Sequence, residues 1–514
     1  MHSESTAGVA SSRARFPGYG EHAPLELQAL SPRLEAQLAD LVVAGDFDDW
    51  SHALARVGNC AHPVRLHGQS LTLDATTGEV LSRYSSAEEP LGVTHVRCGN
   101  RRASVCPSCS RVYAADTFQL IRAGIAGGKT VPDTVADNPL VFATLTAPSF
   151  GHVHGHRDGR PCRPHGPAGG PARCRHGLPT TCTTRHDVDD PLLGQSLCPC
   201  CYDYGSHLVW QWWAPELWKR FTIALRRSVA KALGVPATRL GEVATVQYAK
   251  VAEYQRRGVI HFHALIRLDG PSSTDGFAQA PGELGAAALA DLVRDAAAGV
   301  RLTVAGVDHQ DPARRLAYGR QVDVRPVTTR SRPDDPDRGL TPGQVAGYLA
   351  KYATKAADDH DSPDTGSNPH HRRLRATARD LAIRARATAG ATGDERYAKL
   401  DDWTHMLGFR GHFGTKSRRY SITLTALRRA RRRAQTLIAG SRAQGKPIDL
   451  AALEADLLAD DEHDTTLVIG QWTYAGTGWP TDAQTVLATA AAARAREHDQ
   501  WKAAQRTNGR SRES

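Results

Sequence analysis

A chain of 514 residues, 40% hydrophobic and 23% charged, has the composition of a soluble globular protein and the length for about two to four domains with a buried core. No run of about 18 apolar residues is present, which excludes a spanning helix, and no apolar signal segment opens the chain, so a reducing cytoplasm and no membrane partner are expected. The net charge of +10 suits a polyanionic partner, although a basic solvated surface or nonspecific RNA binding fits the charge alone equally well.

In chain order, residues 1–24 are polar and expected to be disordered, and a mixed segment over 25–95 carries Trp50 and a small hairpin with no legible chemistry. Cys98, Cys106 and Cys109 follow, within a segment at 96–135 that reads as a cysteine cluster and a helix. The run Pro139 to Ala147 is β-rich, with Phe142, Thr144 and Thr146 on one face and Ala143 and Leu145 on the other. Residues 151–205 then form a Cys-rich insertion, in which the Gly-, Pro- and His-rich stretch from Gly151 to Thr184 cannot build a hydrophobic core.

Cys106-Pro-Ser-Cys109 and Cys198-Pro-Cys-Cys201 both have the CxxC spacing that lets two thiolates share a tetrahedral ion. Disulfides are the competing reading, and a reducing compartment disfavours them. Structural Zn2+ is therefore expected, with Cys98, Cys106 and Cys109 at one site and Cys174, Cys182, Cys198 and Cys201 at another. His176 and His186 stand as substitutes, and Cys60 lies apart.

Leu217 to Lys231 reads as a basic amphipathic helix stopped near Gly234 and Pro236. The tryptophans at 210, 212, 213 and 218 suit a core better than a base-stacking platform. Beyond them, Val259 to Ile266 is a strand that points His261 and His263 off one face, with Ile260, Phe262, Ala264 and Ile266 towards the core. Gly258 occupies the left-handed position of a three-residue hairpin loop, Arg256-Arg257-Gly258. That loop pairs Gln255 with Val259 and sets Glu253 opposite His261, so one carboxylate and two imidazoles converge as metal ligands do.

Thr341, Pro342 and Gln344 open a helix as a capping box, and Tyr348 and Tyr352 follow one turn apart on one face, beside Lys351 and Lys355. Core tyrosines are the bland alternative. An ammonium beside a phenol would lower its pKa or steady a phosphate, which is what a tyrosine nucleophile needs. Arg410, Lys416, Arg418 and Arg419 belong to a dense basic stretch that runs into the arginines at 428–433, where DNA phosphates are the favoured partner. Ile448 to Leu458 and Asp482 to Ala504 read as helices.

Three motifs in this order, FATLTAPSF at 142–150, HFH with the upstream Glu253, and YLAKYATK at 348–355, resemble those of the HUH endonucleases. Within them, the chain resembles specifically the rolling-circle replication initiators of actinobacterial plasmids and integrative elements. RCGNRRASVCPSC at 97–109, CYDYG at 201–205 and GFRGHFGTKSRRYS at 408–421 extend the likeness over roughly residues 90–430. The paired tyrosines also look like those of isometric-phage initiators, which use both in successive cleavages.

The resemblance implies that His261, His263 and Glu253 hold Mg2+ or Mn2+, although imidazole also suits zinc and the sequence leaves the ion open. It implies that Tyr352 attacks the scissile phosphate to give a 5′-phosphotyrosine, that Tyr348 performs the second transfer, and that Lys355 and Lys351 steady the phosphate. The implied fold is α+β, an HUH-type central antiparallel sheet with packed helices. A Cys-rich zinc module at 151–205 interrupts it, between a first strand at 136–150 and the rest of the nuclease domain at 206–360. A basic, helical, DNA-binding region at 361–514 follows. The implied partners are double-stranded origin DNA and a single-stranded nick site. No P-loop pattern is evident, so a host helicase is expected to unwind the duplex. A conjugative relaxase, an HUH transposase and a nonenzymatic zinc-dependent DNA-binding regulator are the alternatives.

Overall fold

The computed structural model describes residues 31–166, 172–273, 276–327, 342–353, 368–392, 395–445 and 466–510. The segments at 1–24 and 448–458, and the helix cap Thr341, lie outside them. In chain order the helices are α1 (Pro32–Val43), α2 (Phe47–Arg56), α3 (Pro107–Ala126), α4 (Tyr204–Ala232), α5 (Ala286–Gly299), α6 (Pro342–Ala353), α7 (Pro369–Thr392), α8 (Leu424–Ala443) and α9 (Asp482–Arg510). The strands are β1 (Val64–Asp74), β2 (Val80–Ser85), β3 (Thr94–Val96), β4 (Leu140–Leu145), β5 (Thr245–Tyr254), β6 (Ile260–Asp269), β7 (Leu302–Val304), β8 (Arg314–Leu316), β9 (Val322–Pro326), β10 (Gly414–Lys416) and β11 (Thr466–Thr477). None of the described helices is long and apolar enough to cross a membrane.

The chain divides into two compact units, residues 1–113 with 460–514, and residues 114–459. In the first, β11 runs antiparallel along one edge of β1 from Val64↔Thr477 to Asp74↔Thr466, and β2 and β3 pair with the other edge. The separate regions expected at 25–95 and 361–514 are therefore corrected: both ends of the chain build one sheet. β11 escapes a reading by alternation because Leu467, Val468 and Ile469 are all more than half exposed, so no period of two marks it. Trp50, Leu54, Val57, Cys60 and Trp479 form the core of this unit.

The second unit is α+β and holds a five-stranded sheet in the order β10-β5-β6-β4-β9, every pair antiparallel, with β6 in the middle. Alternation along β6 sends Ile260, Phe262, Ala264 and Ile266 to one face, all within 1% of full burial. There they meet α4, whose Trp218 ring lies 5.6 Å from that of Phe262. Truncating Phe262 to alanine in such a core would cost about 3–5 kcal/mol. Trp210, Trp212 and Trp218 are buried, and Trp210 Nε1 donates to the Ala317 carbonyl at 2.8 Å, so these tryptophans are structural.

The opposite face of β6 carries His261, His263 and Arg267, and α6 packs towards it through the tyrosine rings. Arg267 is fully buried, paired to Asp269 at 2.6 Å, and donates to the carbonyls of Gly124 and Tyr420. Among the described residues, 151–203 contain no helix or strand, only the isolated pairings Val153↔Ser196, Arg163↔Cys182 and Arg173↔Pro179.

Candidate metal and tyrosine site

The site begins with a turn. Gly258 adopts φ +79°, its N–H donates to the Gln255 carbonyl at 2.8 Å, and the Gln255 N–H donates to Val259 at 2.8 Å. Any other residue would strain that left-handed position, and the register behind it would slip. The register sets Glu253 against His261, as the loop chemistry predicts.

Glu253 Oε2 lies 2.9 Å from His261 Nε2 and 2.8 Å from His263 Nε2, and the two ring nitrogens are 3.1 Å apart. Three donor atoms thus converge, with both imidazoles facing a single carboxylate oxygen. Burial works to raise the Glu253 pKa, but the two imidazole hydrogen bonds outweigh it and hold the carboxyl at about 2. Burial pushes His263 down, towards the neutral form a metal needs. Two imidazoles and an ionised carboxylate, which leave coordination positions for water or phosphate, fit a divalent ion.

The neighbouring strand β4 orients the middle imidazole. Thr144 stands opposite His263, and its Oγ1 lies 3.0 Å from His263 Nδ1, which leaves Nε2 facing the carboxylate. The Phe142 ring stacks on the imidazole at 5.7 Å with 6° between planes. Thr144 and Phe142 share a face in the sequence pattern, but their duty towards His263 required the strand pairing.

On α6, Val345, Ala346 and Leu349 are buried, and this packing holds the other helix face over the sheet. Tyr348 and Tyr352 lie one turn apart with ring centroids 4.4 Å from each other. The Tyr348 hydroxyl is 3.4 Å from His263 Nε2, and the Tyr352 ring is 5.9 Å from the His263 ring. Tyr348 is 39% exposed, so its ring is open to solvent. Lys351 is exposed on the same helix, and Lys355 lies outside the described residues. Burial, and then the Glu253 charge, push both phenols up rather than down. Among the described residues the lysine-lowered phenol is not found, since the charge that acts on both tyrosines is the Glu253 carboxylate.

An open pocket of about 920 Å³ adjoins the hairpin turn, lined in part by His152, Arg163, Arg256, Arg257 and Arg320. Of the basic residues expected on DNA, Arg410 is exposed, stacks on the Trp212 ring at 4.5 Å and donates to the Trp212 carbonyl at 3.2 Å. Arg418 is exposed and Arg419 half-buried. The Lys416 ammonium instead reaches the carbonyls of Ser417, Arg418 and Ser421, and burial lowers its pKa to about 8. From the arginine-rich helix α8, Arg428 and Arg431 pair with the buried Asp116.

The cysteines assemble differently from the expected partition, into three groups of four donors. Cys60 completes the first group with Cys98, Cys106 and Cys109, its sulfur 3.6 Å from that of Cys109 and 3.9 Å from that of Cys106. His176 joins Cys174, Cys198 and Cys201 in the second, its Nδ1 3.2 Å from the Cys201 sulfur. Cys182 leaves that set for a third, with His154, Cys162 and His186. Cys60, His154 and Cys162 carry no CxxC spacing, so the sequence offered no sign of their partners. All ten cysteines are free thiols.

The chain matches the family model described as replication initiator protein, pSAM2 (RepSA), over residues 46–493. It is 42% identical over 478 residues to a replication initiator protein of Streptomyces ambofaciens, covering 89% of this chain and 93% of that protein. No solved structure matches it. The motifs that converge on β6 and α6 all fall within the matched stretch, and the chain belongs to the pSAM2-type replication initiator protein family.

Proposed function

We propose that this initiator is an HUH-type nickase that starts rolling-circle replication by cutting and rejoining one strand of its origin. The observation that carries the reading is the meeting of Tyr348 and Tyr352 with the Glu253, His261 and His263 donors on one face of β6. Tyrosines at helical spacing are ordinary core residues, but these lie against a half-buried carboxylate and two imidazoles.

A divalent ion such as Mg2+ or Mn2+, held by Glu253, His261 and His263, would polarise the scissile phosphate. The Tyr352 oxygen bonds to phosphorus as its phenol proton is lost, the bond from phosphorus to the 3′-oxygen breaks, and the 3′-oxygen leaves as a hydroxyl. The 5′-phosphotyrosine so formed conserves the ester energy for resealing, with no nucleotide hydrolysis. Tyr348, one turn away, takes the second transfer while Tyr352 is occupied. Lys351 and Lys355 neutralise the phosphate charge that develops.

The basic pocket at the hairpin turn suits a single strand led to the site, and Arg410, Arg418 and Arg419 suit duplex origin phosphates. A host helicase would extend the opening. Such an initiator works in the cytoplasm. The groups led by Cys60 and Cys174 are read as structural Zn2+ sites.

The test is supercoiled plasmid carrying the replicon's own origin, incubated with Mn2+ or Mg2+ and protein, beside Tyr348→Phe, Tyr352→Phe and the double variant. A nick with protein on the 5′ end, lost in the double variant, is expected. Intact plasmid under tight origin binding would make the protein a zinc-dependent regulator instead. The single variants rank the two tyrosines.

A further inference from the structure

Between the first strand of the nuclease sheet and its metal hairpin lies a stretch that buries almost nothing apolar yet has a defined path. We propose that His154, Cys162, Cys182 and His186 hold a third structural zinc ion, and that this ion pins the insertion against the turn of the β5–β6 hairpin. The four donor atoms all lie within 4.8 Å of one another. His154 Nδ1 is 3.1 Å from His186 Nε2, which is 3.4 Å from the Cys182 sulfur. A tetrahedral ion with nitrogen arms of about 2.0 Å and sulfur arms of about 2.3 Å spaces its ligands at roughly 3.3–3.8 Å. A disulfide would need the two sulfurs at about 2.05 Å, and both cysteines are free.

The surroundings are those of a ligand set. His186 has a fully buried side chain, and its second nitrogen, Nδ1, lies 2.6 Å from Asp190 Oδ2. That carboxylate fixes which nitrogen faces the ion, an arrangement usual behind zinc-bound histidine. The Gly155 N–H donates to the Cys162 sulfur at 3.2 Å, which stabilises a thiolate there. Two reciprocal backbone hydrogen bonds between Arg163 and Cys182, at 2.7 and 2.8 Å, draw the two cysteine segments together across 20 residues.

The group also touches the nuclease hairpin through the backbone. The His154 N–H donates to the Gln195 carbonyl at 2.9 Å, and the Gly194 N–H donates to the His154 carbonyl at 2.9 Å. Gly194 lies so close to the turn that a Cβ there would stand 2.4 Å from the Arg256 carbonyl carbon. Arg256 in turn donates to the Val188 carbonyl. The chain from His154 through Gly194 to Arg256 thus ends on the loop whose shape sets Glu253 opposite His261.

Zinc content tests this in a His261→Ala/His263→Ala background, which removes nuclease-site binding from the count and makes the outcome independent of the nickase reading. Three zinc ions per chain are expected, falling to two in Cys162→Ser/Cys182→Ser. On the parent protein, X-ray absorption should give nine sulfur ligands to three nitrogens, whereas two ions in the other groups would give seven to one. This ratio decides the matter even where the double cysteine variant does not fold. Hydrogen exchange at residues 255–258 should quicken by tenfold or more in a folded variant. A count of two in the parent, or a count unchanged by the cysteine substitutions, overturns the site, and unchanged exchange overturns the pinning.

Discussion

Strand β6 buries Ile260, Phe262, Ala264 and Ile266 almost completely, whereas residues 151–203 bury only Cys162, Leu193, Cys198 and Tyr202 among their described apolar side chains. The two regions touch, yet they acquire order by different means. The hairpin and α6 are held by apolar packing and strand register, so their order does not depend on their polar residues. In the insertion the polar residues themselves supply the order, through sets of four thiol and imidazole donors. A long insertion can be retained in a protein this way without a core of its own.

The largest expected effect bears on the packed region. His263→Ala should lower origin cleavage by about 10²–10³-fold, as removal of a preorganised charge-stabilising group does elsewhere, while duplex origin binding stays within about twofold. Gel-resolved nicking beside a binding titration reads both, and cleavage that survives the change would leave the β6 donors without a catalytic role.

Next in size is selective loss of order under a strong zinc chelator. Limited proteolysis should open 151–203 first, with the β5 and β6 segments still protected. Simultaneous digestion of both regions would erase the distinction between them.

A smaller effect is expected at the second layer. Thr144→Val keeps the shape of β4 but removes the hydroxyl at His263 Nδ1, and should raise the Mn2+ concentration needed for cleavage by about tenfold, read as a shifted Mn2+ titration. An unshifted titration would assign His263 its orientation by packing alone.

The smallest concerns the apolar side of the sheet. Lys250 is buried against Phe262, its ammonium 4.7 Å from the ring, and burial lowers its pKa from 10.5 to about 7. Because the folded value lies below the unfolded one, the unfolded chain binds the extra proton between pH 7 and 10.5, and stability rises with pH across that window. Lys250→Met should therefore raise Tm by a few degrees below pH 7, with the gain shrinking as pH climbs towards 10.5. A gain that does not vary with pH would mean that the ammonium is satisfied by its 3.0 Å bond to the His412 carbonyl.

Much of the packed region was legible from residues alone. A glycine at a loop position, an alternating strand and a 3.6-residue helix period are local, and they led to the Glu253–His261 pairing and to the shared face of Tyr348 and Tyr352. The donor groups were legible only as cysteine content. Their membership depends on which backbones meet, as Arg163 meets Cys182, and on a residue as distant as Cys60, 38 positions before Cys98. Lys416 shows the same limit for charge: position in a basic run does not reveal that its ammonium is spent on backbone carbonyls. β11 was invisible because both of its faces carry apolar residues.

The pairing of β1 with β11 joins segments separated by about 400 residues of chain, Val64 with Thr477 at one end and Asp74 with Thr466 at the other. At a synthesis rate of roughly 5–20 residues per second, one edge of β1 would wait on the order of 20–80 s for its partner. Throughout that interval the emerging polypeptide presents unpaired N–H and C=O groups along eleven residues, a template for another nascent copy. Translation speed and chaperone supply would then govern the yield of active initiator, and so how often the replicon fires.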